Sequence, residues 1–262
     1  MRKSLDELVE EAAELVASAE RIVVFTGAGV STESGIPDFR SPGGIWSRYD
    51  PSDFTIQKFL SGREGRRRIW RGLLESGLLT AKAEPNPAHY AVAELERMGK
   101  LVCVITQNVD GLHQKAGNSP EKVVELHGNM RWAVCLSCKR RFPLEEVVRR
   151  IEEGDEDPHC AECGGILKPD AVFFGEPLPE EALRRAEAAA FSCDLCIVMG
   201  SSLVVYPAAF IPQYARRAGA ELIIINRDPT PLDPLARVRI SAKVGEVMPR
   251  IVRRAKEKLG AL

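Results

Sequence analysis

Five short apolar runs rich in β-branched residues recur along the chain, at 22–25, 101–105, 123–126, 195–199 and 222–225. Runs of that length bounded by turn-forming residues read as buried strands. Patterns of helical period lie between several of them, for example at 88–98 and 180–190, and Ser4 with Glu7 forms a capping box ahead of an amphipathic first helix. Strands alternating with helices demand a parallel sheet covered on both faces, so the chain reads as an α/β, doubly wound fold. Each run stops at a polar or glycine-bearing cluster. These are Thr26-Gly27-Ala28-Gly29, Thr106-Gln107-Asn108, His127-Gly128, Gly200-Ser201-Ser202 and Asn226-Arg227-Asp228. Ligands of open α/β sheets bind beyond the carboxyl ends of the strands, so five distant clusters should converge on one crevice.

Two stretches interrupt this pattern. Residues 46–87, rich in Trp and Arg, carry weak helical periodicity and read as a small helical insert. Residues 131–168 hold four cysteines and too little apolar sequence for a core of their own, so they need a staple. The remaining segments, 1–45, 88–130 and 169–262, form the Rossmann-like part. Cys135-x-x-Cys138 and Cys160-x-x-Cys163, 21 residues apart, suit a closed Cys₄ zinc site. Four thiolates fill the coordination sphere and leave no place for a reactive water. One structural zinc per chain is therefore expected. His159 beside Cys160 reads as a solvated neighbour. Cys193 and Cys196 open an apolar strand and read, with Cys103, as small buried hydrophobes.

With 36 basic and 37 acidic residues the net charge is -1, which gives no general attraction for nucleic acid or an anionic membrane. No apolar run reaches membrane-spanning length, and residues 1–20 are charged and lack a signal peptide's apolar stretch. The expectation is a cytoplasmic monomer with no direct nucleic-acid or membrane partner.

Gly27 and Gly29 would let backbone N–H groups approach a pyrophosphate, with a following helix adding its dipole. The third glycine of the usual fingerprint, Gly35, arrives two residues late. Ile36, Pro37, Asp38, Phe39 and Arg40 make poor helix and good pocket lining. Gln107, Asn108 and Asp110 offer amides and a carboxylate for hydroxyl- or amide-bearing ligands, with His113 nearby. His127 sits where a general base would be useful near neutral pH. His89 reads as a helix-start residue.

Together these residues resemble the sirtuin deacylases. The string from Gly27 to Arg40 is similar to that family's opening signature, Thr106 to His113 to its second motif and Leu126-His127-Gly128 to its third. The cysteine pairs, Phe173-Phe174-Gly175-Glu176, Gly200 to Pro207 and Asn226 follow in the family's order. The resemblance implies that Gly27, Ala28, Gly29, Gly200, Ser201, Ser202, Asn226, Arg227 and Val244 line the adenosine and pyrophosphate part of NAD. It implies a cofactor loop at Asp38, Phe39 and Arg40, nicotinamide held by Ile36 and Asp110, and its ribose held by Gln107 and Asn108. His127 would be the base, with Asn108 beside the reacting centre. An acyl-lysine peptide would lie as an added strand between Val172, Phe173, Phe174, Gly175 and Glu176 on one side and Leu203, Val204 and Val205 on the other.

The implied reaction displaces nicotinamide from NAD by the acyl oxygen and ends with free lysine and an acylated ADP-ribose. Arg68 and Arg71 fall where members acting on acidic acyl groups carry a tyrosine and an arginine. The tyrosine is missing, so acetyl should be preferred to succinyl, with both arginines expected beside the acyl tunnel. Ser241-Ala-Lys-Val-Gly245 departs from the commoner glycine-lysine-alanine-glycine string around Val244. A mono-ADP-ribosyltransferase and a non-catalytic NAD- and zinc-binding module are the competing readings.

Overall fold

The computed structural model describes residues 3–76 and 83–260; the two chain ends, and 77–82 of the expected insert, lie outside the described residues. In chain order, helix α1 (Leu5–Ser18) precedes β1 (Ile22–Thr26). Short 3₁₀ turns lead on to α2 (Ile56–Leu60), α3 (Arg63–Glu75) and α4 (Pro87–Arg97). Next come β2 (Leu101–Thr106), α5 (Leu112–Lys115) and β3 (Val123–Glu125). The cysteine-bearing region contributes β4 (Gly128–Cys135), β5 (Arg141–Pro143), α6 (Leu144–Glu152) and β6 (Leu167–Ala171). The chain closes with α7 (Glu180–Ser192), β7 (Leu195–Met199), α8 (Phe210–Arg217), β8 (Glu221–Ile225), β9 (Val238–Ile240) and α9 (Val244–Lys258).

The main sheet has the order β3-β2-β1-β7-β8-β9, and every pairing in it is parallel. From β1 the chain builds outward to β2 and β3 on one side, then returns to build β7, β8 and β9 on the other. The switch point lies between β1 and β7, where a ligand crevice is expected. Five of the six strands match the apolar runs. The sixth, β9, is only three residues long, and Val238-Arg239-Ile240 is too short to stand out from its surroundings.

Strands β1 and β7 are buried along their whole length. Their side chains feed two different cores in alternation. Ile22 and Val24 pack with α1, α4 and α9, whereas Val23 and Phe25 pack with α7 and α8. Both faces are thus apolar, which is why these strands read as unbroken hydrophobic runs.

A third cluster lies outside the main sheet. Phe59, Ile69, Trp70 and Leu73 of the insert pack directly against Ala133, Leu144, Val147, Leu167 and Phe173. The insert and the cysteine-bearing region therefore share one core. That region is built on a small antiparallel sheet of order β5-β4-β6, which extends at both ends beyond 131–168. Arg66 of α3 also reaches Asp157 through two parallel hydrogen bonds, Nε to Oδ1 at 2.6 Å and Nη2 to Oδ2 at 2.7 Å. Both side chains are about nine-tenths buried, a geometry in which a charge pair is held firmly.

Candidate active site

A cavity of about 660 Å³ opens at the switch point and draws lining residues from all five strand-end clusters, including Asn226 and Asp228 of the fifth. Gly27, Ala28, Gly29, Ile36, Asp38, Phe39, Arg40, Gln107, Asn108, Asp110 and His127 all line it, as do Gly200, Ser201, Ser202 and Asn226. Arg227 and Val244 line a smaller cavity of about 250 Å³, which shares Gly29, Asp38, Gly200 and Asn226 with the first.

The helix expected to follow the glycines does not form. Residues after Gly27 form two single 3₁₀ turns, Ala28–Val30 and Thr32–Ser34, rather than a helix, so the expected dipole of a following helix is not supplied by this loop. Gly35 ends the second turn at φ 84°, in the left-handed region. Gly27 and Gly29 instead make room for Gly200. A Cβ on Gly29 would lie 2.8 Å from the Gly200 Cα, and one on Gly200 would lie 2.3 Å from the Val30 nitrogen. The Gly29 N–H donates to the Gly200 carbonyl at 2.9 Å and locks the two loops together.

Gln107 and Asn108 leave β2 directly into the cavity. Gln107 Nε2 donates to Ser201 Oγ at 2.9 Å, and Asn108 Nδ2 donates to Ser31 Oγ at 3.1 Å. Ser31 in turn donates to Asp110 Oδ2 at 2.7 Å. Ser31, which sequence reading did not single out, thus joins the amide of one expected site residue to the carboxylate of another. The Asp38 carboxylate accepts from the Arg40 and Ser41 amides and from the Ser41 hydroxyl, so it shapes the loop that carries Phe39 and Arg40. Trp46 lies tilted against both Phe39 and Phe174, with ring centroids 5.1 and 5.8 Å away, and closes an aromatic wall that the sequence did not announce.

His127 lies between β3 and β4. Its Nδ1–H donates to the Gln107 carbonyl at 2.9 Å, which leaves Nε2 as the basic nitrogen. Burial pushes the His127 pKa below the ordinary histidine value, and the Gln107 carbonyl partly opposes this.

The 172–176 loop forms one rim. The Phe174 N–H donates to the Phe54 carbonyl and its carbonyl accepts from Ile56, so the insert already closes that edge. Glu176 serves the loop itself, accepting from the Phe173 N–H and pairing with buried Lys168 at 3.0 Å. Lys168 also sits over the Phe173 ring and was not anticipated. Among the described residues, Gly175 and Val204 keep their backbone groups out of internal hydrogen bonds. Val205 lines the cavity, but Leu203 and Val204 do not; Leu203 is buried at φ 56° and Val204 is exposed.

Arg68 and Arg71 do not line the cavity, contrary to expectation. Arg71 pairs with Glu156 at 2.9 Å on the outer side of α3.

Cys135, Cys138, Cys160 and Cys163 bring their sulfurs within 4.8 Å of one another. The Cys135–Cys163 and Cys138–Cys160 separations are 3.5 and 3.8 Å. A tetrahedron of thiolates about 2.3 Å from zinc has edges of about 3.8 Å, so the donor set fits the ion. His159 is not one of this group; its ring nitrogens face the Gly164 carbonyl and Asp157. Cys103, Cys193 and Cys196 are buried free thiols in the core, where burial raises their pKa values.

A Sir2 family model matches residues 27–207. An NAD-dependent protein deacetylase from Thermodesulfovibrio yellowstonii is 47% identical over 249 residues, spanning 95% of this chain and 96% of its own. A chain solved in work on the mechanism and regulation of Sir2 enzymes superposes with a TM-score of 0.87 at 47% identity, covering 97% of this chain and 99% of that one. Sir2Af2 bound to a myristoylated histone peptide superposes at 0.80 with 42% identity, covering 98% of this chain and all of that one.

Proposed function

We propose, from the premise that this chain belongs to the Sir2 family and is an NAD-dependent protein-lysine deacylase, an assignment of its own residues to the reaction. NAD is the co-substrate, nicotinamide is released, and the acyl group passes from lysine to ADP-ribose. The four cysteines hold a structural zinc. The observation that carries the assignment is the Gln107 carbonyl on His127 Nδ1, which fixes the tautomer that leaves Nε2 basic inside the cavity.

In this reading Gln107 and Asn108 hold the nicotinamide ribose, and Asp110 with Ile36 holds the carboxamide. His127 Nε2 takes a proton from a ribose hydroxyl, whose oxygen then closes onto the acyl carbon. Arg40 and the packed loops at Gly27, Gly29 and Gly200 face the phosphates, and the smaller cavity bounded by Arg227 and Val244 suits the adenosine end.

The substrate peptide adds as a strand between Gly175 and Val204, whose free backbone groups are the available edge. Its acyl-lysine would enter beside Phe39, Val172 and Phe173. That lining contains no arginine from α3, so a succinyl carboxylate would lose water without the partner that Arg71 was expected to offer. Acetyl is the preferred small acyl group. The described residues contain no helix long and apolar enough to cross a membrane, and the working state proposed is a cytoplasmic monomer.

The test is nicotinamide release from NAD, with and without acetyl-lysine and succinyl-lysine peptides, with products identified by mass spectrometry. Release that depends on the acetyl peptide, and yields acetyl-ADP-ribose, supports the assignment. Release that proceeds equally without peptide, with ADP-ribose found on protein, supports the transferase reading instead. Faster turnover of the succinyl peptide would overturn the acyl preference.

A further inference from the structure

Beneath the cavity lies a buried polar network that the assignment above does not use. His89 and His113 are 0% and 1% exposed, and their rings lie 4.9 Å apart. His89 Nδ1 accepts the Asn86 N–H at 3.2 Å, so the neutral ring carries its proton on Nε2. Asn86 also donates to the Val30 carbonyl at 2.7 Å and to Ser34 Oγ at 3.0 Å, which ties this corner to the loop after β1.

His113 faces the ends of the two central strands. Its Nε2 lies 3.1 Å from Thr26 Oγ1, and Thr26 Oγ1 donates to Thr106 Oγ1 at 2.9 Å. A hydroxyl whose proton is committed to Thr106 accepts from His113, which sets His113 as the Nε2–H tautomer. Thr106 Oγ1 also accepts the Asn108 N–H at 3.0 Å. The Thr26 carbonyl accepts the Gln107 N–H at 3.0 Å. Thr26 and Thr106 are opposite one another in the β1–β2 register. Both residues expected to hold the nicotinamide ribose therefore hang on a pair of threonines that His113 supports from below. Both rings are kept neutral by burial, and each retains one buried nitrogen without a hydrogen-bond partner. Leaving a buried nitrogen unpaired is costly, so the bond that each ring does make calls for an explanation.

We propose that His113 is a positioning residue for the NAD half of the reaction, acting through Thr26 and Thr106 to fix the backbone of Gln107 and Asn108. This rests on the reading that Gln107 and Asn108 bind the cofactor. His113 touches neither substrate. Its influence should fall on the KM for NAD and on kcat, and should leave the peptide edge at Gly175 and Val204 unaffected.

The experiment compares His113→Leu, His113→Gln, Thr106→Val and the double variant His113→Leu/Thr106→Val with the parent enzyme. Steady-state deacetylation is measured at varied NAD and varied acetyl-lysine peptide, alongside Tm. Leu removes the donor, whereas Gln places an amide nitrogen near the position of Nε2. Each of His113→Leu and Thr106→Val should lower kcat/KM for NAD about tenfold, the loss expected from one buried hydrogen bond. The peptide KM should stay within about twofold. The double variant should be no worse than the poorer single one, because both break the same chain, and Gln should recover most of the loss. If His113→Leu does not fold, Thr106→Val and His113→Gln still carry the comparison.

Multiplying losses in the double variant, an equal rise in peptide KM, or a folded Gln variant no better than Leu would overturn the proposal. Asn108→Ala separates it from its premise. If that substitution leaves NAD use intact, the cofactor assignment itself fails. If it cripples NAD use while the His113 and Thr106 variants do not, only the positioning role fails.

Discussion

The imidazole of His127 can act as a base only while it is neutral, and its surroundings keep it so. Burial is the larger influence and lowers its pKa, so the ring sheds its proton at a lower pH than an ordinary histidine. Activity that needs the neutral ring is then full near pH 7 and is lost only as pH falls through that lowered value. The acid limb of kcat/KM should lie below about 6.5, the unperturbed value. A limb above it would mean that another group governs the profile. His127→Ala should reduce deacylation by about 10²–10⁴-fold while NAD binding, measured by calorimetry, persists. Near-parental turnover would remove His127 from the mechanism. At this scale sequence was most informative about the four cysteines, whose type restricts their use and whose sulfurs gather in one cluster, and it placed His127 on the cavity. It misplaced Arg71, because a position number does not give the azimuth of a side chain on its helix. Arg67 and Arg71, four residues apart on one face of α3, both reach Glu156, whereas the buried face belongs to Ile69, Trp70 and Leu73. It also left His113 as a mere neighbour, since nothing in the chain reveals that a hydroxyl on β1 lies beside it.

Elements were legible where burial imposes a long uniform pattern and illegible where it does not. The central strands feed two cores and so announce themselves as apolar runs. Strands β4 and β6 carry mixed sequence and pair with a register shift between Gly128 and Ala133, which erases any clean alternation. The loop after β1 was expected to start a helix, but its positive-φ glycine and the following proline at Pro37 break it into turns. What makes that loop work is its packing against Gly200, at φ 59° with the Val30 nitrogen 2.3 Å from any added Cβ. Gly200→Ala should therefore cost at least about 1–2 kcal/mol for the left-handed backbone alone, and more as the two loops part. The expected outcome is a lower Tm together with a raised KM for NAD; an alanine variant with both unchanged would show that the loops are not held in register here. The joint between α4 and α5 makes a second element-scale prediction. His89, with a pKa pushed down to about 4, and His113, pushed well below the usual value, both fold as neutral rings. The unfolded chain takes up protons near 6.5, so their linkage favours the native state above that pH and weakens it as pH falls from about 6.5 toward 4. Chemical denaturation across that window should show the decline, and it should be shallower in His89→Gln. An equally steep decline in that variant would assign the linkage to other groups.

The whole molecule consists of one half built on the parallel sheet and a second half in which the insert and the cysteine-bearing region share one core. The two halves meet around the cavity, and their contributions differ. Gly27, Gly200, Gln107 and Asn108 lie on loops that follow strands of the sheet, whereas Phe54 and Leu73 line the cavity from the insert, and Phe173 both lines it and packs in the shared cluster. Zinc should hold that second half together. Without the ion, four thiol groups would crowd within 4.8 Å, and Cys135 and Cys160 are themselves members of the shared cluster. Binding free energy at a structural site of this kind is folding free energy for the segment that carries it. The loosening should spread from the cysteines through Leu144, Val147 and Leu167 to Trp70 and Leu73, and through Asp157 to Arg66. The parallel sheet has its own two cores and should survive. Complete removal of zinc by a chelator, checked by elemental analysis against one ion per chain in the parent, should lower Tm and raise the KM for acetyl-lysine peptide well above any change in the KM for NAD. Cys135→Ser should behave likewise, whereas Cys193→Ser and Cys196→Ser, which lie in the core of the sheet, should leave metal content unchanged. A zinc-free protein with an unaltered Tm, or one whose NAD and peptide KM values rise together, would show that the ion does not support the acyl-lysine side through the shared core.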